Sequence, residues 1–127
     1  MTNRILVVED EDDMQDLIAA ILRADGYEPL LARNGADRLA DVETLDYQMV
    51  ITDVVMPGCD GIEIIRSARR RCPDVPVVAI SGGGARMPAT VGLRLSEAIG
   101  ANRVLYKPFS RAELRAAVTD LLPVAAA

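Results

Sequence analysis

Five short apolar runs, separated by longer amphipathic stretches, constrain this chain more than any other feature. The runs are Ile5–Val8, Glu28–Ala32, Met49–Thr52, Val75–Ile80 and Val104–Tyr106. Three are rich in β-branched residues and show no polar alternation, the pattern of strands buried on both faces of a parallel sheet. Between the first two, Met14, Leu17, Ile18, Ile21 and Leu22 recur at helical spacing, and Gly26 is placed to end that helix. Ala36–Glu43 and Ile62–Arg71 read as a second and a third helix. Val91, Leu95, Ala98 and Ile99 mark a fourth, ended by Gly100. Ser110-Arg-Ala-Glu113 is a capping box that opens a fifth, with Leu114, Val118, Leu121 and Leu122 on one face. Five βα units in succession predict an α/β fold with a parallel sheet.

Composition narrows the chemistry. The 127 residues suit one domain with a core that needs no staples. There is no histidine, which excludes Ser-His-Asp and Cys-His catalysis and His-ligated zinc. A net charge of −5 argues against a nucleic-acid-binding surface. Cys59 and Cys72 form neither a disulfide framework nor a metal-binding spacing. No apolar run approaches the roughly 20 residues of a transmembrane helix, so no membrane contact is expected. Acidic residues from Glu9 onward interrupt any signal-peptide core. The expectation is a reduced, cytoplasmic domain.

In open α/β sheets, ligands bind outside the carboxyl ends of the strands. Glu9 and Asp10 follow the first run, Asp53 the third, Ser81 the fourth and Lys107 the fifth. Arg33 and Asn34 follow the second, at the sheet edge if the strand order is 2-1-3-4-5. Three carboxylates within about 4–6 Å would repel by a few kcal/mol per pair at an effective dielectric near 20. A hard divalent ion with oxygen ligands offsets that, and magnesium suits phosphate chemistry. Lys107 adds a point charge for a phosphoryl oxygen. Asp53 is a carboxylate nucleophile whose attack on phosphorus would give an aspartyl phosphate. Ser81 can donate a hydrogen bond to the transferred group, with the backbone amides of Gly82-Gly83-Gly84 near by.

Blander readings compete. Glu11, Asp12 and Asp13 suit the positive end of a helix dipole, whereas Glu9 and Asp10 stand at a strand end. Arg69, Arg70 and Arg71 complement a helix C-terminus and solvate the surface. The three glycines are not a phosphate-binding loop, because no Gly-Lys-Ser/Thr follows. Cys59 reads as an ordinary loop thiol, with Lys107 the one cation in prospect near it.

Ile5-Leu-Val-Val-Glu-Asp-Glu11, Ile51-Thr-Asp-Val-Val-Met-Pro-Gly-Cys-Asp-Gly61 and Lys107-Pro-Phe109 together resemble the receiver domain of two-component response regulators. The resemblance spans residues 3–122, leaving 123–127 as a C-terminal tail. It implies a flavodoxin-like, doubly wound sheet of five parallel strands, order 2-1-3-4-5, flanked by five helices. By similarity Asp53 is the phosphoacceptor, charged by a sensor histidine kinase or phosphotransfer protein. Glu9, Asp10, Asp53 and the Val55 backbone carbonyl would bind Mg2+, Ser81 would contact the phosphoryl group, and Lys107 would precede a cis peptide at Pro108. The domain would promote only its own phosphorylation and dephosphorylation. A downstream protein effector would dock on the face of the fourth helix, fifth strand and fifth helix, a face that suits homodimerisation equally well. The chain would be a stand-alone receiver or the N-terminal receiver of a longer regulator. The competing reading is a Mg2+-dependent phosphohydrolase with an aspartyl-phosphate intermediate, but Glu9-Asp10 lacks the Asp-x-Asp spacing of haloacid-dehalogenase-like enzymes.

Two departures from the family pattern stand out. The switch aromatic three residues before the lysine is replaced by Val104. Tyr106, on the same face by strand alternation, is a candidate to stand in for it, against a plain packing role. The segment from Ser81 to Lys107 is also long, and Gly82–Ala89 is expected to be mobile before phosphorylation.

Overall fold

A computed structural model of the chain describes residues 3–32, 37–56, 59–82 and 98–123. In chain order the elements are β1 (Arg4–Val8), α1 (Asp12–Ala24), β2 (Glu28–Leu31), α2 (Asp37–Thr44) and β3 (Met49–Asp53). There follow β4 (Val55–Met56), β5 (Cys59–Asp60), α3 (Gly61–Arg71), β6 (Val77–Ser81), β7 (Arg103–Tyr106) and α4 (Arg111–Leu121). The main sheet has five parallel strands in the order β2-β1-β3-β6-β7, the expected 2-1-3-4-5 arrangement of the five apolar runs. The expected fourth helix and the Gly82–Ala89 segment fall almost wholly outside the described residues; Ala98 and Ile99 are helical.

The unbroken apolar runs are explained by two cores. Ile5, Val7, Ile51, Val78 and Ile80 turn to one face and pack with Ile18 and Leu22 of α1 and Leu114 and Val118 of α4. Leu6, Val8, Val50, Val77 and Ala79 turn to the other and pack with Val42 of α2 and Ile64 and Ala68 of α3. Every second residue of a central strand serves the opposite layer, so the strand interiors are apolar on both faces and polar residues such as Thr52, Asp53 and Ser81 come at their carboxyl ends. β2 lies at the edge, where Pro29 loses no ladder hydrogen bond to a second neighbour. β6 starts only at Val77, after Pro76, two residues later than the apolar run.

Helix ends follow the sequence signals. Gly26 and Gly100 hold φ values of 90° and 79°, a left-handed conformation that glycine adopts without a Cβ clash. Ser110 and Glu113 complete the capping box of α4 reciprocally, at 3.0 and 3.1 Å. The Arg69–Arg71 run closes α3: Arg69 donates to the Val75 carbonyl and to Asn102, and Arg71 covers the Tyr47 ring. The antiparallel pair β4–β5 was not expected; it draws the chain after Asp53 back on itself, pairing Val55 with Asp60. Among the described residues, no helix is long and apolar enough to cross a membrane.

Candidate functional site

Parallel strands deliver their carboxyl ends to one side of the sheet, and the polar residues that follow them are gathered there. Backbone bonds hold the rim: Val54 N donates to Ile80 O at 2.9 Å and Lys107 N to Ser81 O at 2.8 Å. Ser81 and Tyr106 are register partners across the β6–β7 pair. The Lys107-Pro108 peptide is cis.

The centre is a buried ion cluster. Glu9 and Asp53 are 2% and 7% exposed, and Lys107 reaches between them. Its Nζ lies 3.0 Å from Asp53 Oδ2, 3.3 Å from Glu9 Oε1 and 3.7 Å from Glu11 Oε1. Burial, then hydrogen bonding and repulsion from Asp53, push the Glu9 carboxyl up to about 6, against a smaller downward pull from Lys107. Burial also acts to lower the Lys107 ammonium, but hydrogen bonding and attraction from Asp53, with Glu9 behind it, outweigh burial and raise it.

Asp10 takes a different partner. Its carboxylate is ion-paired with the guanidinium of Arg38, at the start of α2, and Arg38 is 3% exposed. Among the strand-end residues the sequence reading offered Lys107 as a cation; Arg38 is a second one that it did not single out. Arg38 escaped the sequence reading because Asp37-Arg38 and Asp41 look like the charges of a solvated helix. Arg38 and Asp41 are buried instead, on a helix whose Val42 and Leu39 pack into the core beside α3.

The two cations split the three carboxylates. Among the described residues no three acidic or other metal-ligating side chains stand grouped to hold an ion. The donor chemistry nonetheless fits a hard cation. Glu9 Oε2 is buried with no hydrogen-bond donor among the described residues, the Asp53 carboxylate interacts directly with Glu9, and Asp10 follows it in the chain as a further oxygen donor. Val55 lies two positions beyond Asp53, its backbone constrained by pairing with Asp60.

Gly61 is a further position that the sequence reading did not single out. A Cβ there would fall 2.2 Å from the Asp53 carbonyl oxygen and 2.7 Å from Val54 Cα. The start of α3 therefore lies directly against the backbone that carries Asp53, and Gly61 N donates to Val54 O at 3.0 Å. The candidates for movement lie on β7. Val104 packs against the α2–α3 core, and Tyr106 buries its hydroxyl without a hydrogen-bond partner among the described residues.

Comparison with known proteins shows the family and the fold. A family model described as "Response regulator receiver domain" matches residues 5–119. The sensory transduction protein RegX3 of Mycolicibacterium smegmatis is 32% identical over 118 residues, covering 93% of this chain and 50% of RegX3. The chain thus spans about half the length of the curated relatives it matches. Among solved structures, the response regulator TrrA of Thermotoga maritima in complex with Mg2+-BeF is 30% identical, with a TM-score of 0.77 over 95% of this chain and 100% of TrrA. The chemotaxis regulator CheY4 of Vibrio cholerae, 24% identical, shares the fold with a TM-score of 0.81 over 96% of this chain and 100% of CheY4.

Proposed function

From the premise that the chain belongs to the response regulator receiver family, we propose that it is a phosphorylation-dependent switch that accepts a phosphoryl group on Asp53. The observation that carries this reading is the buried Asp53 carboxylate held 3.0 Å from the Lys107 ammonium at the carboxyl end of the sheet. In the reaction, an Asp53 carboxylate oxygen attacks the phosphorus of a phosphohistidine on a kinase or phosphotransfer protein. The new P–O bond forms as the P–N bond breaks, and the imidazole leaves with the electron pair. Lys107 stays beside the reacting carboxylate and neutralises charge that accumulates on the phosphoryl oxygens. Ser81, at the end of the adjacent strand, donates a hydrogen bond to one of them. Glu9, Asp10, Asp53 and the Val55 carbonyl would hold Mg2+, which supplies Lewis-acid charge compensation to the phosphoryl group when bound.

The outcome is a population shift between two packings rather than turnover of a substrate. Tyr106 and Ser81, paired across β6 and β7, sit where such a shift would reach the face formed by β7, α4 and the expected fourth helix. A cytoplasmic protein effector, or a second copy of the chain, would read that face. Intact-protein mass spectrometry after incubation with acetyl phosphate and Mg2+, beside Asp53→Asn, tests the assignment. One added phosphoryl group, absent in the variant and without metal, is expected. An adduct that survives in Asp53→Asn, or failure to take up either phosphate or the beryllium fluoride mimic, would overturn it.

A further inference from the structure

Arg38 lies outside the residues assigned to phosphoryl transfer, yet it is ion-paired with Asp10, one of the proposed metal ligands. We propose that Arg38 is a built-in competitor of the metal: its guanidinium neutralises Asp10 in the metal-free protein and lowers the affinity of the site for a divalent cation. The inference rests on the reading of Glu9, Asp10 and Asp53 as metal ligands.

Three observations lead to it. The ion pair joins Asp10 to a cation that is itself only 3% exposed, so water screens the Arg38 charge far less than that of a surface arginine. Lys107 covers Glu9 and Asp53, so Arg38 completes a second, separate neutralisation of the acidic set. The three carboxylates accordingly do not converge as a ligand group among the described residues, and Asp10 is the one of them paired with Arg38 rather than with Lys107.

A hydrogen bond to a ligating carboxylate ordinarily helps, and losing one costs roughly 10–100-fold in metal affinity. That benefit comes from fixing the ligand's orientation. A partner carrying a full positive charge adds like-charge repulsion across the same carboxylate, in a poorly hydrated place where screening is weak. Repulsion between a monovalent and a divalent cation at such range exceeds the orientation gain, so removing the guanidinium charge should tighten binding. The Asp10 side chain is 26% exposed and can be hydrated once the guanidinium is lost, so Asp10 itself is not left as a stranded buried charge.

The test is binding of Mn2+ alone, read by electron paramagnetic resonance of the free ion, with Mg2+ as competitor. Arg38→Met keeps the apolar stem without the charge and is expected to bind Mn2+ about tenfold tighter than wild type, in keeping with a like-charge term of this range. Arg38→Lys, which keeps the charge, is expected to stay near wild type. Unchanged or weaker binding in Arg38→Met overturns the inference while leaving the metal reading intact, provided wild-type binding is lost in Asp53→Asn. Wild-type protein that binds no Mn2+ overturns both. Should Arg38→Met fail to fold, NMR of the wild type decides. Rotation about the Arg38 Cζ–Nη bonds is slowed while Asp10 holds them and is expected to quicken on Mg2+ addition; unchanged rotation overturns the inference.

Discussion

Lys107 donates from Nζ to Asp53 Oδ2 at 3.0 Å, joining the ends of β7 and β3 across the intervening strand β6. A side chain at the end of one strand thus tethers a carboxylate two strands away, and the same ammonium also reaches Glu9, just past the end of β1. The bond ties the sheet's functional edge together and keeps two buried carboxylates from facing each other uncompensated.

Removing that ammonium should therefore have two separable effects. Lys107→Ala is expected to slow phosphorylation of Asp53 by about 10²–10³-fold, the usual cost of losing one preorganised cationic or hydrogen-bonding group. It should also lower the melting temperature at neutral pH, and Mg2+ should restore much of that loss by supplying the missing charge. Phosphorylation kinetics with acetyl phosphate, and thermal melts with and without Mg2+, measure the two. A melting temperature that Mg2+ does not raise would count against the carboxylates as its ligands.

Glu9 makes the metal-free protein sensitive to pH. Its folded-state value of about 6 lies above the ordinary 4.5 of a glutamate, so the native state binds this proton more tightly than the unfolded chain. The contribution is fully present below pH 4.5 and is lost as pH rises through about 6, amounting to about 2 kcal/mol. Urea titrations of wild type and Glu9→Gln across that window should differ in slope, with the variant flatter. Metal binding should show the reverse trend, weakening as Glu9 takes up its proton.

At Gly61 even one methyl group has nowhere to go. Its Cβ would strike the backbone of Asp53 and Val54, which cannot swing aside as a long side chain can. Gly61→Ala is expected to cost about 1–3 kcal/mol, as overpacking does elsewhere, and to displace the acceptor. Chemical denaturation gives the first effect. A fall in the rate of phosphorylation by acetyl phosphate relative to wild type gives the second; wild-type behaviour in both would mean that α3 can shift freely.

The buried hydroxyl of Tyr106, unpartnered among the described residues, marks a place where the resting state is not optimal. Tyr106→Phe is expected to stabilise the unphosphorylated domain by about 1 kcal/mol, because it removes a desolvated polar group without a partner. Tyr106→Ala, by contrast, should blunt the shifts that beryllium fluoride produces in NMR spectra of β7 and α4. Identical shifts in Tyr106→Ala and wild type would reduce Tyr106 to a packing residue.

Much of the architecture was legible because it is written in local periods. Unbroken apolar runs such as Ile5–Val8 can be satisfied only between two layers, and the two cores on either side of β1 are that solution. Gly26 and the Ser110/Glu113 capping box mark helix ends by chemistry confined to a few residues. Less visible was the β4–β5 hairpin, whose strands are two residues each and whose one signal was the Pro57-Gly58 dipeptide between them. Gly61 carried no signal beyond being a glycine at a helix start, since its constraint is the proximity of the Asp53 carbonyl rather than its own dihedral angle.

The sequence by itself determined the alternation of strands and helices, and with it which residues stand at the carboxyl ends: Glu9, Asp10, Asp53, Ser81 and Lys107. Periodicity is a local property, repeated along the chain, and a parallel sheet converts it directly into position. Only the tertiary structure decided how charge is shared among those residues. Glu9 and Lys107 are 98 positions apart and Asp10 and Arg38 are 28 apart, and their pairing depends on how closely separate elements dock. Coulomb energy varies with ångström separations and with the water excluded between the groups, neither of which is encoded in spacing along a chain.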